Sequence, residues 1–169
     1  MPRYEKRFED TLVGDVSDKL VLKPSRVSKD ANLGEVVDQM LANPLSRKVY
    51  VTDQNGRYLG TVSTETVLRL MGYRLGIRDV GGVSFYRFLR DTLKERADSV
   101  MVKGRTVTKD TKLSSAMRMM IEDHLNDLPV VDADGMLIGE LVSQELFMEG
   151  RRVFDPKDPL MVEPRTDGP

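Results

Sequence analysis

Apolar residues along the chain alternate between a helical and a strand period, and the same order occurs twice. Leu33, Val36, Val37, Met40 and Leu41 have the i, i+3, i+4, i+7, i+8 spacing of a helix burying one face, and Leu113, Ala116, Met117, Met120 and Ile121 repeat it position for position. After each helix a short apolar run, KVYV (48–51) or LPVV (128–131), leads through a polar turn to a second run, YLGTV (58–62) or LIGEL (137–141). Asn55-Gly56 and Asp134-Gly135 tolerate positive φ, so both pairs of runs predict β-hairpins. Asp132 and Asp134 stand two apart beside a glycine, but aspartate is a preferred turn former and no third ligand lies near in sequence.

Sliding the sequence along itself makes the duplication explicit. At an offset of 80, Asp18, Lys23, Val27, Lys29, Asp30, Leu33, Met40, Leu45 and Val51 recur as Asp98, Lys103, Val107, Lys109, Asp110, Leu113, Met120, Leu125 and Val131. After one deletion the offset becomes 79, with Asp53, Gly56 and Gly60 recurring as Asp132, Gly135 and Gly139. Gly60 and Gly139 stand inside predicted strands, where either a bulge or close backbone approach, or simple tolerance, accounts for them. Each repeat predicts the order β-α-β-β-α. A unit of about 50 to 60 residues has a marginal core, so two units packed together are expected to bury what neither covers alone. The expected fold is α/β (α+β), with two pseudo-symmetric halves packed through their sheets. The expected organisation is an N-terminal extension (1–13), a first unit (14–72), a linker with an amphipathic helix (73–93), a second unit (94–150) and an extended, Pro-rich and charged C-terminal tail (151–169).

Composition narrows the chemistry. Among 169 residues there is no cysteine and a single histidine, His124, which excludes thiol nucleophiles, disulfides, Cys-based zinc sites and His clusters. Phosphate loops, dinucleotide fingerprints, nucleophile elbows and zinc signatures are absent, so neither a catalytic role nor a metal site is expected. A net charge of -1 gives no global attraction to nucleic acid, and no apolar run approaches the roughly 20 residues that cross a bilayer. A cytoplasmic protein without membrane association is expected.

The β-α-β-β-α order, the segment VTKDTKLSSAMRMMIED, the hairpin LPVVDADGMLIGEL and the tandem duplication resemble the cystathionine-β-synthase (CBS) domain pair, or Bateman module. The resemblance implies a regulatory module that commonly dimerises. It also implies clefts that hold an adenosyl ligand such as AMP, ADP, ATP or S-adenosylmethionine, with no cofactor required. Nucleotide-binding members carry Ser or Thr three residues before Asp, where the last strand enters the second helix; such a carboxylate can accept hydrogen bonds from ribose hydroxyls. Here the first unit has Ser63 and Thr66, lacking the acid, and the second has Val142, Ser143 and Glu145, lacking the hydroxyl in register. Relatives often place a phosphate-binding Arg before the middle strand. Aligning KVYV with LPVV puts Arg47 and Asp127 there, so the first unit reads as the better phosphate site and the second as the better nucleoside site. The resemblance extends the expected lining to Val27, Val49, Tyr50, Thr106, Val107, Leu128 and Pro129. Arg47 as a solvated residue and Glu145 as a helix N-terminal acid are equally open readings.

Residues 69–97 have little counterpart in the repeat and carry seven Arg or Lys against three acids. Ser84 is a candidate N-cap, after which Phe85, Phe88, Leu89 and Leu93 fall on one helical face, predicting a linker helix that packs on the module or across a dimer. A lid for phosphates or an acidic partner is the lesser reading, and no RNA motif accompanies the charge. The function expected from the whole is a sensor of an adenosyl compound that signals to a regulated partner protein. The alternative is a dimerisation or interaction module that has lost nucleotide binding.

Overall fold

Two small sheets, each flanked by helices, carry the duplicated pattern in this computed structural model, which describes residues 8–75 and 82–153. Residues 1–7 of the expected extension, residues 76–81 of the expected linker and residues 154–169 of the expected tail lie outside the described residues.

A single 3-10 turn (Phe8–Asp10) and helix α1 (Val13–Val16) precede strand β1 (Arg26–Ser28), helix α2 (Leu33–Ala42), the hairpin of β2 (Lys48–Thr52) and β3 (Tyr58–Ser63), and helix α3 (Thr64–Leu75). The second half runs through α4 (Gly82–Leu93), α5 (Ala97–Val100), α6 (Leu113–Glu122), the hairpin of β4 (Asp127–Val131) and β5 (Leu137–Val142), and α7 (Ser143–Val153). Strand β1 pairs parallel with β2, and β2 pairs antiparallel with β3. In the second half the segment at Val107 contributes one parallel bridge to Val130 in place of a full strand. The turns use the same chemistry: Asp53 Oδ1 accepts from the amides of Asn55 and Arg57, and Asp132 Oδ1 from those of Asp134 and Met136. Gly56 and Gly135 follow with φ of 87° and 80°. The two aspartates of DADG therefore belong to a turn.

The strand pairing moves the deletion between the repeats. Lys48 pairs with Ser63 and Asp127 with Val142; likewise the amide of Thr64 donates to the carbonyl of Arg47 and that of Ser143 to Asn126. The register offset is thus already 79 at β2 and β4, and the missing residue lies in the loop after α6. Asp127 is consequently the counterpart of Lys48, and Arg47 that of Asn126. This corrects the sequence alignment of Arg47 with Asp127.

The four-residue helices exchange places. The amide of Val13 donates to Thr111 and that of Gly14 to Lys109, while Ala97 and Asp98 donate to Ala31 and Lys29. Gly14, not Asp18, is therefore the counterpart of Asp98. Val13 and Val16 complete the core formed by Val107, Leu113, Ala116, Met120, Leu128, Val130, Leu141 and Leu146. Ala97 closes the other core, with Val27, Leu33, Val36, Val49, Val51 and Val62. Each buried Val or Leu contributes about 1.5 to 3 kcal/mol over exposure, so each core depends on a segment from the other half of the sequence.

Two further expectations are corrected. Leu41 and Ile121, which close the apolar stripes, are 75% and 67% exposed. Eight residues along a helix leave a side chain about 80° from the first, and here that rotation clears the sheet. Helix α4 begins at Gly82, so Ser84 sits within it and is not its cap.

Candidate functional site

Strand alternation decides what the two sheets offer each other. Val49 and Val51 point into the first core, so Lys48 and Tyr50 face the opposite way, toward the second sheet, as Thr61 and Ser63 do by pairing with them. On the second sheet Asp127, Pro129 and Glu140 take the matching positions. The halves meet where the amide of Tyr58 donates to Gly135 and that of Leu137 to Gly56, beside a cluster of Tyr50, Tyr58, Val131 and Leu137.

At this junction charge is buried. The Nζ of Lys48 donates to the main-chain oxygen of Asp127 at 2.6 Å. Glu140 Oε1 accepts from the hydroxyls of Ser46 and Tyr50, both at 2.7 Å. Asp127 Oδ2 and Glu140 Oε2 are buried with no hydrogen-bond partner among the described residues. Burial pushes the Glu140 carboxyl up to about 7, against the Ser46 and Tyr50 hydroxyls that favour its anion. Burial also raises the Asp127 carboxyl, opposed by Lys48 and Arg47, and lowers the Lys48 ammonium, opposed by Asp127 and Glu140. The Tyr50 phenol lies well above its ordinary value through burial and then the Glu140 charge.

Beside this cluster opens a cavity of about 200 Å³ between the halves. Lys48, Thr61, Ser63 and Thr66 form its first wall, Leu125, Asp127, Leu128 and Pro129 its second, and Val102, Gly104 and Arg105 its third. Segment 101–105 is fixed along β3 by paired hydrogen bonds between Val102 and Thr61 and by the Tyr58 hydroxyl, which accepts from the Gly104 amide. Ser63 Oγ lies 3.0 Å from Thr66 Oγ1 and accepts from the Thr66 amide, so this helix start holds two hydroxyls and no carboxylate.

The counterpart in the second half is built differently. Glu145 is fully buried; its Oε1 accepts from the amides of Lys19 and Leu20, and its Oε2 from that of Val142. Lys19 and Leu20 belong to the nine residues (17–25) joining α1 to β1, whereas only five (101–105) separate α5 from Thr106, the counterpart of Arg26. Asp18, with a φ of 65°, lies so close to β5 that a Cβ on Gly139 would stand 2.6 Å from its Oδ1; a Cβ on Gly60 would stand 2.7 Å from the sulfur of Met101. Close approach, in opposite halves, is therefore what both strand glycines serve.

Of the residues predicted from sequence, Ser63, Thr66, Asp127, Leu128 and Pro129 converge on the cavity. Val27, Val49 and Val107 lie in the cores, Tyr50 spends its hydroxyl on Glu140, and Arg47 is exposed at the edge beside Asp127. Thr106 and Ser143 are half-buried, the latter at the Glu145 helix start. Lys48, Thr61, Arg105 and Glu140 escaped sequence reasoning. A lysine and a tyrosine alternating with the valines of KVYV carry the available signal, because alternation puts both on one face. Among the described residues no group of His, Cys, Asp or Glu is placed to hold a metal ion, and no helix is long and apolar enough to cross a membrane.

The CBS domain family model matches residues 10–73 and 97–149. A search of curated protein sequences gives no significant match. Among solved structures, the chain is similar to a CBS domain-containing protein from Thermotoga maritima, at 27% identity over 85% of this chain and 96% of that one, with a TM-score of 0.69. It also resembles CBSX2 from Arabidopsis thaliana, solved in complex with AMP (22% identity, 85% and 98% coverage, TM-score 0.65). The CBS domain pair of protein MJ0100, solved with 5'-methylthioadenosine and S-adenosyl-L-methionine, matches at 15% identity (83% and 98% coverage, TM-score 0.64). At such identities the last two speak for the fold alone. With two matched regions, two cores and two equivalent hairpins, the chain belongs to the CBS domain family and carries the domains as a tandem pair.

Proposed function

We propose that this CBS pair is a regulatory module that binds an adenosyl compound in the cavity between β3 and β4 and passes its occupancy to a partner protein. The cavity walls carry the reading: both halves contribute, with apolar surface from Leu125, Leu128 and Pro129 and polar groups from Ser63, Thr66 and Asp127. At about 200 Å³ it lies below the roughly 300 to 1,000 Å³ common for drug-sized ligands. A base and sugar suit that space, and any phosphate would then lie at the rim, near Arg105. AMP in the Arabidopsis neighbour and the adenosyl compounds in the MJ0100 pair support this ligand class. A ligand touching both walls has different affinity for different arrangements of the halves, as a signal requires.

Two pairs of exposed apolar residues at equivalent positions, Leu41 with Ile121 and Leu68 with Phe147, support homodimerisation through helices α2 and α6 or α3 and α7. No catalytic step is assigned to the module, and a cytoplasmic setting suits its composition. Thermal shift with AMP, ADP, ATP, S-adenosylmethionine and NADH tests the reading. At about 100 times its Kd, a ligand selective for the folded state adds about 2.7 kcal/mol, roughly 5 to 10 °C in Tm for a chain this size. A flat response to all of them at millimolar concentration leaves the alternative, an interaction module without a ligand, which the occupied Glu145 slot already favours for the second half.

A further inference from the structure

Asp127 is an unusual wall for an apolar cavity. It is 2% exposed, lines the space, and leaves Oδ2 without a hydrogen-bond partner among the described residues. The nearest ammonium, that of Lys48, is directed at the main-chain oxygen of Asp127 and does not relieve the carboxylate by a hydrogen bond. A buried acceptor left in this state carries a desolvation penalty that a donor entering the cavity would remove. On the opposite wall the helix start offers only the hydroxyls of Ser63 and Thr66, which are already 3.0 Å apart and bonded to each other. Among the described residues lining the cavity, the one carboxylate therefore comes from β4 of the other half. Burial raises the Asp127 carboxyl, opposed first by the Lys48 charge and then by the backbone amide and charge of Arg47.

Resting on the adenosyl reading above, we infer that Asp127 is the specificity-determining residue of this cavity, its carboxylate accepting hydrogen bonds from a donor group of the bound nucleoside. The donor is a ribose hydroxyl or the exocyclic amine of the base, and both present the same chemistry to Oδ2. Because a second anion near Asp127 would be repelled, the same residue keeps any phosphate away from this wall.

Calorimetric titration of the whole chain with adenosine, 2',3'-dideoxyadenosine and purine riboside, repeated on Asp127→Asn and Asp127→Ala, tests this. In the unaltered protein, loss of either the diol or the amine is expected to weaken binding about tenfold or more, as for a hydrogen bond to a charged group. In both variants adenosine weakens to a similar degree and the sensitivity to that same deletion falls below about threefold. An unchanged sensitivity in the variants overturns the assignment. If the variants fail to fold, the unaltered protein still decides: binding of all three compounds within twofold overturns it. Failure of every adenosyl compound to bind the unaltered protein sinks the functional reading itself, whereas binding with a flat analogue series sinks only the role of Asp127.

Discussion

The two helix starts at Thr66 and Glu145 descend from one pattern and have opposite fates. At the first, hydroxyls face a cavity that Asp127 lines from across the module. At the second, a carboxylate is present in the expected place but is consumed by three backbone amides, two of them from a linker four residues longer than its counterpart. Possession of an acid by a sequence motif is therefore not the same as its availability. What decides is whether the fold leaves the acid facing a space or facing its own chain.

The sharpest way to break this contrast is to remove the second carboxylate. Glu145→Ala should cost about 3 to 4 kcal/mol in urea or thermal unfolding, because three backbone amides, that of Val142 buried and those of Lys19 and Leu20 part-buried, lose a charged acceptor, while Glu145→Gln should cost about 1 kcal/mol. A loss below about 1 kcal/mol for the alanine variant would return Glu145 to the list of free ligand groups.

Protonation of the junction gives the next largest effect. The Glu140 carboxyl stands near 7 in the folded chain against an ordinary value of 4.5, so the folded state holds the extra proton. Stability is then highest below the ordinary value and falls as pH rises toward 7, with the full penalty, at most about 3 kcal/mol, present above it. The raised Asp127 carboxyl acts in the same direction. Unfolding measured from pH 5 to 8 should show this decline, and Glu140→Gln should flatten it and be the more stable protein at pH 8. An unaltered slope would place the anion in a better-solvated setting than the geometry indicates.

The two strand glycines compare the flanking segments directly. A methyl at Gly60 meets Met101 along its side chain, down to Cβ at 3.1 Å, whereas one at Gly139 meets chiefly the carboxylate tip of Asp18. Gly60→Ala should cost about 2 kcal/mol and Gly139→Ala about 1 kcal/mol in thermal unfolding; the reverse order would mean that the longer linker is the stiffer one. The smallest change is expected from Thr66→Asp, which gives the first helix start the acid it lacks. If the cavity holds an adenosyl ligand, adenosine should bind roughly tenfold tighter, about 1.4 kcal/mol, and no gain in a titration would argue against that pose.

Helices, hairpins and the duplication were legible because each has a period that survives single substitutions. The position of the deletion was not, since moving it from the turn to the loop after α6 leaves the apolar pattern of KVYV and LPVV almost unchanged. That one-residue difference paired Asp127 with Arg47 on paper and pairs it with Lys48 in the structure. Segments Val13–Val16 and Ala97–Val100 are too short to show a period, so nothing local announces that they belong to opposite cores. The site was half legible: Ser63, Thr66, Asp127, Leu128 and Pro129 came from the motif. Lys48 and Glu140 required knowing which strand faces turn toward each other.

The exchange of α1 and α5 also sets an order of events during synthesis. Val13 and Val16 leave the ribosome well ahead of the core that receives them, which is complete only once Leu141 and Leu146 have been made. At about 5 to 20 residues per second this leaves α1 without its binding surface for roughly ten seconds. The first half meanwhile lacks Ala97, its own borrowed residue, until the linker has emerged. Neither core is completed by its own half alone: the first closes when Ala97 has been made, whereas the second waits for contacts more than a hundred residues apart.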